Sequence, residues 1–156
     1  MSSPATPSSE YVKNAVLTAT PEQLQLMLYD GAIKHAARAR DAVGAKDREG
    51  AFNGLERAQR IVLELSNGLR REVNPALADQ MAALYSFIYR RLIDANIHQD
   101  VEALDDALRI LRHQRETWVL LMEKLRQETH GPGPAPGQSV PAGRSGESTS
   151  RFVAEG

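Results

Sequence analysis

The chain has 156 residues, a net charge of −1 at pH 7 and no cysteine. Its length is enough for one hydrophobic core, and its near-neutral charge gives no indication of binding to nucleic acid or to an anionic membrane. The lack of cysteine excludes disulfides, thiolate zinc sites and cysteine nucleophiles.

The N-terminal segment is polar. The sequence MSSPATPSSE contains no apolar run of the kind found in secretory signals, and no stretch of the chain is apolar over the roughly 20 residues needed to span a bilayer. We therefore expect a cytosolic protein without membrane insertion. Residues 1–10 are predicted to be a flexible N-terminus, with the ordered part beginning at Tyr11.

Four helix starts are recognisable in the middle of the chain. Thr20 precedes Pro21 and is followed by Gln23, which combines a hydroxyl cap, a proline in the first turn and a capping box. The next three helices each follow a residue whose side chain can cap a helix: Asp47, Asn74 and Asp100. These signals predict helices over residues 21–45, 48–71, 75–97 and 101–129.

Each predicted helix carries one apolar stripe at helical spacing. The stripes include Leu24, Leu28, Ala32 and Ala36; Leu55, Ala58, Val62 and Leu65; Leu77, Tyr85, Ile88 and Leu92; and Leu104, Leu108, Leu111 and Trp118. Arg115 also falls on the fourth stripe, where its stem is expected to pack while its charged head reaches solvent or pairs with a carboxylate. Because the connections are short, the pattern predicts an all-α, antiparallel up-down four-helix bundle over residues 11–130.

The C-terminal segment has a different composition. Residues 131–156 contain four of the eight prolines and six of the eleven glycines. Such a segment cannot bury enough apolar surface to offset its chain entropy, so we predict a disordered tail.

Each helix also has apolar residues that lie off its stripe: Leu26, Met27, Ile33, Phe52, Leu63, Phe87, Ile110 and Leu121. Two interpretations are open. These side chains are either flank residues covered by neighbouring helices or by the N-terminal segment, or they form a surface that receives another apolar chain. We favour the second, because large exposed apolar patches usually mark interaction sites.

Catalytic motifs are absent from the sequence. None of the four histidines follows an acidic residue by three positions, the spacing of di-metal sites in helical bundles. There is also no HExxH, no phosphate-binding loop and no dinucleotide motif. A Ser–His–Asp site would form only by residues meeting in space, and nothing points to one. We expect neither an enzyme nor a cofactor. Arg90 and Arg91 either belong to a solvated helix face or contact an acidic partner.

Three segments resemble the FliS family of flagellar secretion chaperones in order and spacing. They are YVKNAVLTATPEQLQLMLYDGAI, LYSFIYRRLIDANIHQD and LRHQRETW. The resemblance covers residues 11–129 and implies a four-helix bundle with a short N-terminal capping segment. It further implies a non-enzymatic chaperone that binds the C-terminal region of flagellin, prevents its premature polymerisation and aids its delivery to the flagellar type III export apparatus.

The resemblance also implies roles for single residues. Tyr11 matches the N-terminal tyrosine of the family, and Val16 lies between it and the start of the first bundle helix. This segment would cover part of the client groove; the alternative is that Tyr11 and Val16 form a hydrophobic staple. Asn96 either contacts the client or caps its helix locally, and Trp118 is expected to pack.

The predicted partner-binding set is Tyr11, Val16, Leu26, Met27, Ile33, Phe52, Leu63, Phe87, Arg90, Asn96, Ile110 and Leu121. Besides flagellin, export-gate components or an anti-sigma factor are candidate partners. The alternative function is a helical adaptor that binds another flagellar or regulatory protein on the same surface. The sequence leaves open whether the protein is a monomer or a weak homodimer.

Overall fold

A computed structural model describes residues 5–130, and all of its regular structure is helical. The five helices are α1 (Ala5–Thr18), α2 (Pro21–Gly44), α3 (Arg48–Asn67), α4 (Pro75–His98) and α5 (Val101–His130). The all-α class predicted from the sequence is confirmed for these residues. The predicted tail, residues 131–156, lies outside the described part of the chain, as do residues 1–4.

The predicted helix caps are all present. The backbone N–H of Gln23 donates to the Thr20 hydroxyl at 3.1 Å, and the N–H of Thr20 donates to the Gln23 side chain at 3.0 Å. The other caps accept backbone N–H groups in the same way, at Asp47, Asn74 and Asp100. Each such cap contributes about 1 kcal/mol to helix stability.

One helix was not predicted and one predicted helix is four residues shorter in the structure, whereas the other predicted ends lie within one residue of the observed ones. Helix α1 begins at Ala5, six residues before Tyr11, whereas the sequence predicted a flexible segment there; the flexibility of residues 1–10 stays a prediction. Helix α3 ends at Asn67 rather than at residue 71, because Gly68 takes the C-cap position and donates its N–H to the Glu64 carbonyl at 3.1 Å. Glycine favours termination because it is a poor helix former.

Within the described residues the chain divides into two compact units, residues 5–118 and 119–130. The core of the first unit is built from α2 to α5, with α2 packed along α3 and α3 along α4. Its fully buried large side chains are Tyr29, Leu55, Val62, Leu65, Tyr85, Ile88, Leu92, Leu104 and Leu111. Leu24 and Leu77, predicted to be core residues, are instead 38% and 51% exposed, because each lies at the first turn of its helix.

Helices α2 and α3 approach closely because small residues face each other. Ala32, Ala36 and Ala39 are fully buried on α2. A Cβ atom placed on Gly54 of α3 would lie only 2.8 Å from the carbonyl oxygen of His35. The glycine is therefore required by the distance between the two backbones.

Polar contacts connect α5 to its neighbours within the first unit. Arg40 binds Asp105, with 3.1 Å between Nη2 and Oδ2, and the indole N–H of Trp118 donates to the Glu22 carbonyl at 3.1 Å. Arg115 pairs with Asp30, so its predicted pairing with a carboxylate is confirmed.

A buried hydrogen bond joins α2 and α4. The hydroxyl oxygens of Tyr29 and Tyr85 are 2.6 Å apart, and Gln25 donates its side-chain N–H to Tyr29 at 3.3 Å. Burial, with the bond to Tyr29, raises the pKa of the Tyr85 hydroxyl far above its ordinary value. The two tyrosines are therefore core residues whose hydroxyl groups hydrogen-bond to each other.

Among the helices of residues 5–130, none combines the length and apolar character needed to cross a membrane.

Candidate protein-binding surface

Large apolar side chains are exposed on α3. Phe52 is 51% exposed and Leu63 is 44% exposed. They are 11 residues apart, or about three helical turns, so they lie on one side of the helix. Between them Arg60 pairs with Glu56 at 3.0 Å, so this side of α3 combines apolar and paired polar groups.

A cleft lies between α1 and α2. Its volume is about 420 Å³, and it is lined by Tyr11, Asn14, Ala15, Thr18, Ala19, Gln23 and Met27. Tyr11 is 73% exposed, whereas Met27 is half-buried. Helix α1 and the side of α2 that carries Met27 therefore border a common cleft, which we call the α1–α2 cleft.

A second depression follows the surface of α4. Its volume is about 430 Å³, and it is lined by Phe87, Arg90, Arg91, Ile93 and Asp94; we call it the α4 hollow. Phe87 is 38% exposed. The hollow places an aromatic ring next to two arginines, a combination that suits a segment with both apolar and acidic side chains.

An ion-pair network borders the α4 hollow and connects it to α5. Arg91 binds Asp94 at 3.2 Å and Asp106 at 3.0 Å, and Asp106 is also bound by Arg109 at 2.8 Å. Hydrogen bonds from Arg109 and Arg91 hold the pKa of the Asp106 carboxyl below its usual value. Asp106 is therefore charged at neutral pH and holds Arg91 in place.

The remaining predicted residues lie in different environments. Ile33 and Ile110 are half-buried and pack against the core, so they offer less surface than predicted, in line with the first of the two interpretations. Leu26 is half-buried on α2, and Val16 on α1 is 43% exposed. Leu121 belongs to the second unit and is 44% exposed.

Asn96 is half-buried near the end of α4. Its backbone carbonyl accepts a hydrogen bond from the side chain of Gln99 at 3.2 Å. The backbone of Asn96 thus takes part in a local hydrogen bond at the end of α4. A contact between its side chain and a client stays a prediction.

Sequence reasoning missed some exposed apolar residues. Ile97 is 68% exposed and lies one turn after Ile93 on the same side of α4. It was overlooked because the helix was predicted to end there. Leu17, 73% exposed, was missed because its segment was not predicted to be a helix.

No metal site is evident in the described residues, where no group of three or more potential ligands lies close enough to hold an ion.

Comparison with known proteins places this surface in context. The family model for the flagellar protein FliS matches residues 4–125. The chain is 36% identical over 127 residues to the flagellar secretion chaperone FliS of Bacillus subtilis, covering 81% of this chain and 94% of that protein. It is 32% identical over 111 residues to the Escherichia coli protein of the same name, covering 69% and 79%.

A solved structure supports the helical fold. A crystal structure described as a flagellar chaperone from bacteria superimposes with a TM-score of 0.63 at 18% identity, covering 78% of this chain and 99% of that one. Together with the family match over most of the chain, these relatives show that the protein belongs to the FliS family of flagellar secretion chaperones.

Proposed function

We propose that this protein is a cytosolic, non-enzymatic export chaperone that binds the C-terminal segment of flagellin. It prevents premature polymerisation and aids delivery to the flagellar type III export apparatus. The observation that carries the proposal is the exposure of Phe52, Leu63 and Phe87 on the helices of a FliS-family chain. Exposed large apolar side chains of this kind are typical of surfaces that bind another polypeptide.

The proposed scaffold is an antiparallel up-down bundle of α2 to α5, with α1 as the N-terminal capping segment. Two contacts support opposite directions for α2 and α5: Arg40 late in α2 meets Asp105 early in α5, and Glu22 early in α2 meets Trp118 further along α5. The connection between α2 and α3 spans only residues 45–47, and such short connections favour antiparallel neighbours.

The mechanism requires only binding. A flagellin segment that later buries an amphipathic face in the filament is prone to aggregate before export, and apolar side chains on a chaperone cover that face. The client becomes ordered as it binds, at a cost of about 2 to 5 kcal/mol, so the affinity stays moderate for the area buried. A moderate affinity allows release without a chemical step.

Helix α1 is proposed to compete with the client. Tyr11 and Met27 line the same cleft, so a client that fills this cleft against Met27 would compete with Tyr11 for the same space. Removal of residues 1–18 should therefore tighten client binding. If Tyr11 and Val16 instead act only as a staple, the deletion will lower the stability of α2 and leave the affinity unchanged.

The direct test is calorimetric titration of the full chain with a peptide from the C-terminus of flagellin. We expect a 1:1 complex, a negative heat-capacity change from apolar burial and a gain of helix in circular dichroism. A scrambled peptide of the same composition is the control. Absence of binding at micromolar concentrations contradicts the proposal, and preferential binding of another flagellar or regulatory protein favours the adaptor alternative.

A further inference from the structure

The charges around the α4 hollow leave one cation unpaired. Arg91 and Arg109 are paired with Asp94 and Asp106, so the charges of these four residues cancel. Arg90 lines the same hollow, is exposed, and has no ion pair with any residue in the described part of the chain. The hollow therefore presents one uncompensated positive charge.

Apolar side chains flank this cation. Arg90, Ile93 and Ile97 follow one another at helical spacing along one side of α4, and Phe87 lies one turn before Arg90. Phe87 and Ile97 are 38% and 68% exposed. A partner that covers these side chains must bring apolar groups on both sides of Arg90.

One free cation within an apolar strip is a poor match for nucleic acid. Binding to a phosphate backbone uses several lysine and arginine contacts, whereas the other arginine of the hollow, Arg91, is already paired with aspartates. An amphipathic helix matches better, because an acidic residue at the edge of its apolar stripe places a carboxylate beside apolar neighbours.

We infer that the α4 hollow binds an amphipathic helical segment of the client, with one side-chain carboxylate of that segment paired to Arg90. Apolar residues of the segment then cover Phe87 and Ile97. The inference rests on the proposed function and adds a specific charge contact to it. That contact fixes the register of the client along α4, because only one turn of the client can place its carboxylate at Arg90.

The test is a titration of the full chain with the flagellin peptide at low and at physiological salt. Arg90→Glu should weaken binding about three- to tenfold, the range expected when one exposed ion pair becomes a like-charge contact. It should also flatten the salt dependence of Kd. The matched control is Arg38→Glu on α2, an exposed arginine that likewise has no ion pair among the described residues; its effect should stay below about twofold.

A charge exchange identifies the carboxylate. Each acidic residue of the peptide is changed in turn to lysine, and one such peptide should bind Arg90→Glu better than it binds the unaltered protein. Circular dichroism and thermal melting establish that the variants are folded. A further peptide is amidated at its C-terminus, which removes the terminal carboxylate. If this peptide alone reproduces the loss of affinity seen with Arg90→Glu, the terminal carboxylate pairs with Arg90 and the side-chain assignment is wrong.

The failures are distinguishable. Suppose that the unaltered protein binds the peptide. If Arg90→Glu then binds as well as Arg38→Glu does, or if no exchanged peptide restores binding to Arg90→Glu, the inference is wrong and the proposed function stands. If the unaltered protein does not bind the peptide, the proposed function is wrong and the inference fails with it.

Discussion

The hydroxyl oxygens of Tyr29 and Tyr85 lie 2.6 Å apart between side chains that are 2% and 1% exposed. This bond is a polar link between α2 and α4 inside an otherwise apolar core. A buried hydroxyl without a partner is costly, so the pair is favourable only in the register in which both oxygens meet.

A double-mutant cycle should detect this coupling. Tyr29→Phe and Tyr85→Phe each leave the other hydroxyl without its tyrosine partner, and each should lower the free energy of unfolding by about 1 to 3 kcal/mol. The double variant should lose less than the sum of the two, because each single variant already removes the bond between the two hydroxyls and the sum counts that loss twice. Urea unfolding monitored by circular dichroism measures all three, and additive losses would contradict the coupling.

Gly54 should not tolerate a side chain. Alanine normally stabilises a helix by about 1 kcal/mol relative to glycine, but a Cβ on Gly54 would lie 2.8 Å from a backbone oxygen of α2. We expect Gly54→Ala to destabilise the protein by about 1 to 3 kcal/mol. Gly44→Ala is the matched control, since a Cβ there meets nothing within 4 Å. A stabilising Gly54→Ala would show that α2 and α3 can separate easily.

Stability should fall in mild acid because of His35. Burial, together with the charges of Arg57, Lys34 and Arg38, lowers the pKa of His35 below 6.5. The unfolded chain therefore binds a proton first as the pH drops, so stability is full above about pH 6.5 and declines below it until His35 is protonated in the folded state as well. His35→Gln should remove this component, and the same substitution at exposed His113 is the control. Thermal melts at about pH 7.5 and about pH 5 measure the difference.

Substitution of the exposed phenylalanines should weaken client binding without a large change in the stability of the fold. Phe52→Asp and Phe87→Asp should weaken binding of the flagellin peptide about tenfold or more, a loss of about 1.4 kcal/mol. The free energy of unfolding should change by less than about 1 kcal/mol, because both rings are partly solvated. Asn53→Asp adds the same charge at the position next to Phe52 and should bind normally. Unfolding of either phenylalanine variant would place that ring in the core.

Replacement of Lys46 with glycine should stabilise the protein. The Lys46 φ of 60° lies in the left-handed region, which disfavours side chains by about 1 kcal/mol, so Lys46→Gly should raise the free energy of unfolding by up to about that amount. Gln99 has a similar φ of 55°, but its side chain donates to the Asn96 carbonyl at 3.2 Å. Gln99→Gly should therefore gain less, and an equal gain in urea unfolding would mean that this hydrogen bond contributes nothing.

Local chemistry explains which parts of the fold were predictable. The caps at Thr20 and Asn74 depend on side chains three residues or fewer from the backbone groups that they bind, so the sequence contains the whole motif. Helix α1 was harder to predict, because serine and proline near the N-terminus resemble a loop. Pro7 is the third residue of α1, however, and proline is tolerated in a first turn, where its missing N–H would have no partner.

Contacts between distant residues explain what was not predictable. Tyr29 lies off the stripe assigned to α2, yet it is buried in the core, where its hydroxyl meets that of Tyr85, 56 positions away. Ile33 and Ile110 lay off the stripes as well, yet neighbouring helices cover them. A helical wheel shows the direction in which a side chain points, but not how far the neighbouring helix extends over it. It therefore identified Phe52 as exposed correctly, but it could not show that Ile33 is partly covered by a neighbouring helix.

The spacing of α2 and α3 has a consequence for anything that binds them. Where Ala39 and Gly54 meet, the two backbones approach so closely that no space remains between them for a foreign side chain. A bound polypeptide would therefore have to follow the outer contour of the two helices rather than insert a side chain between them at this point.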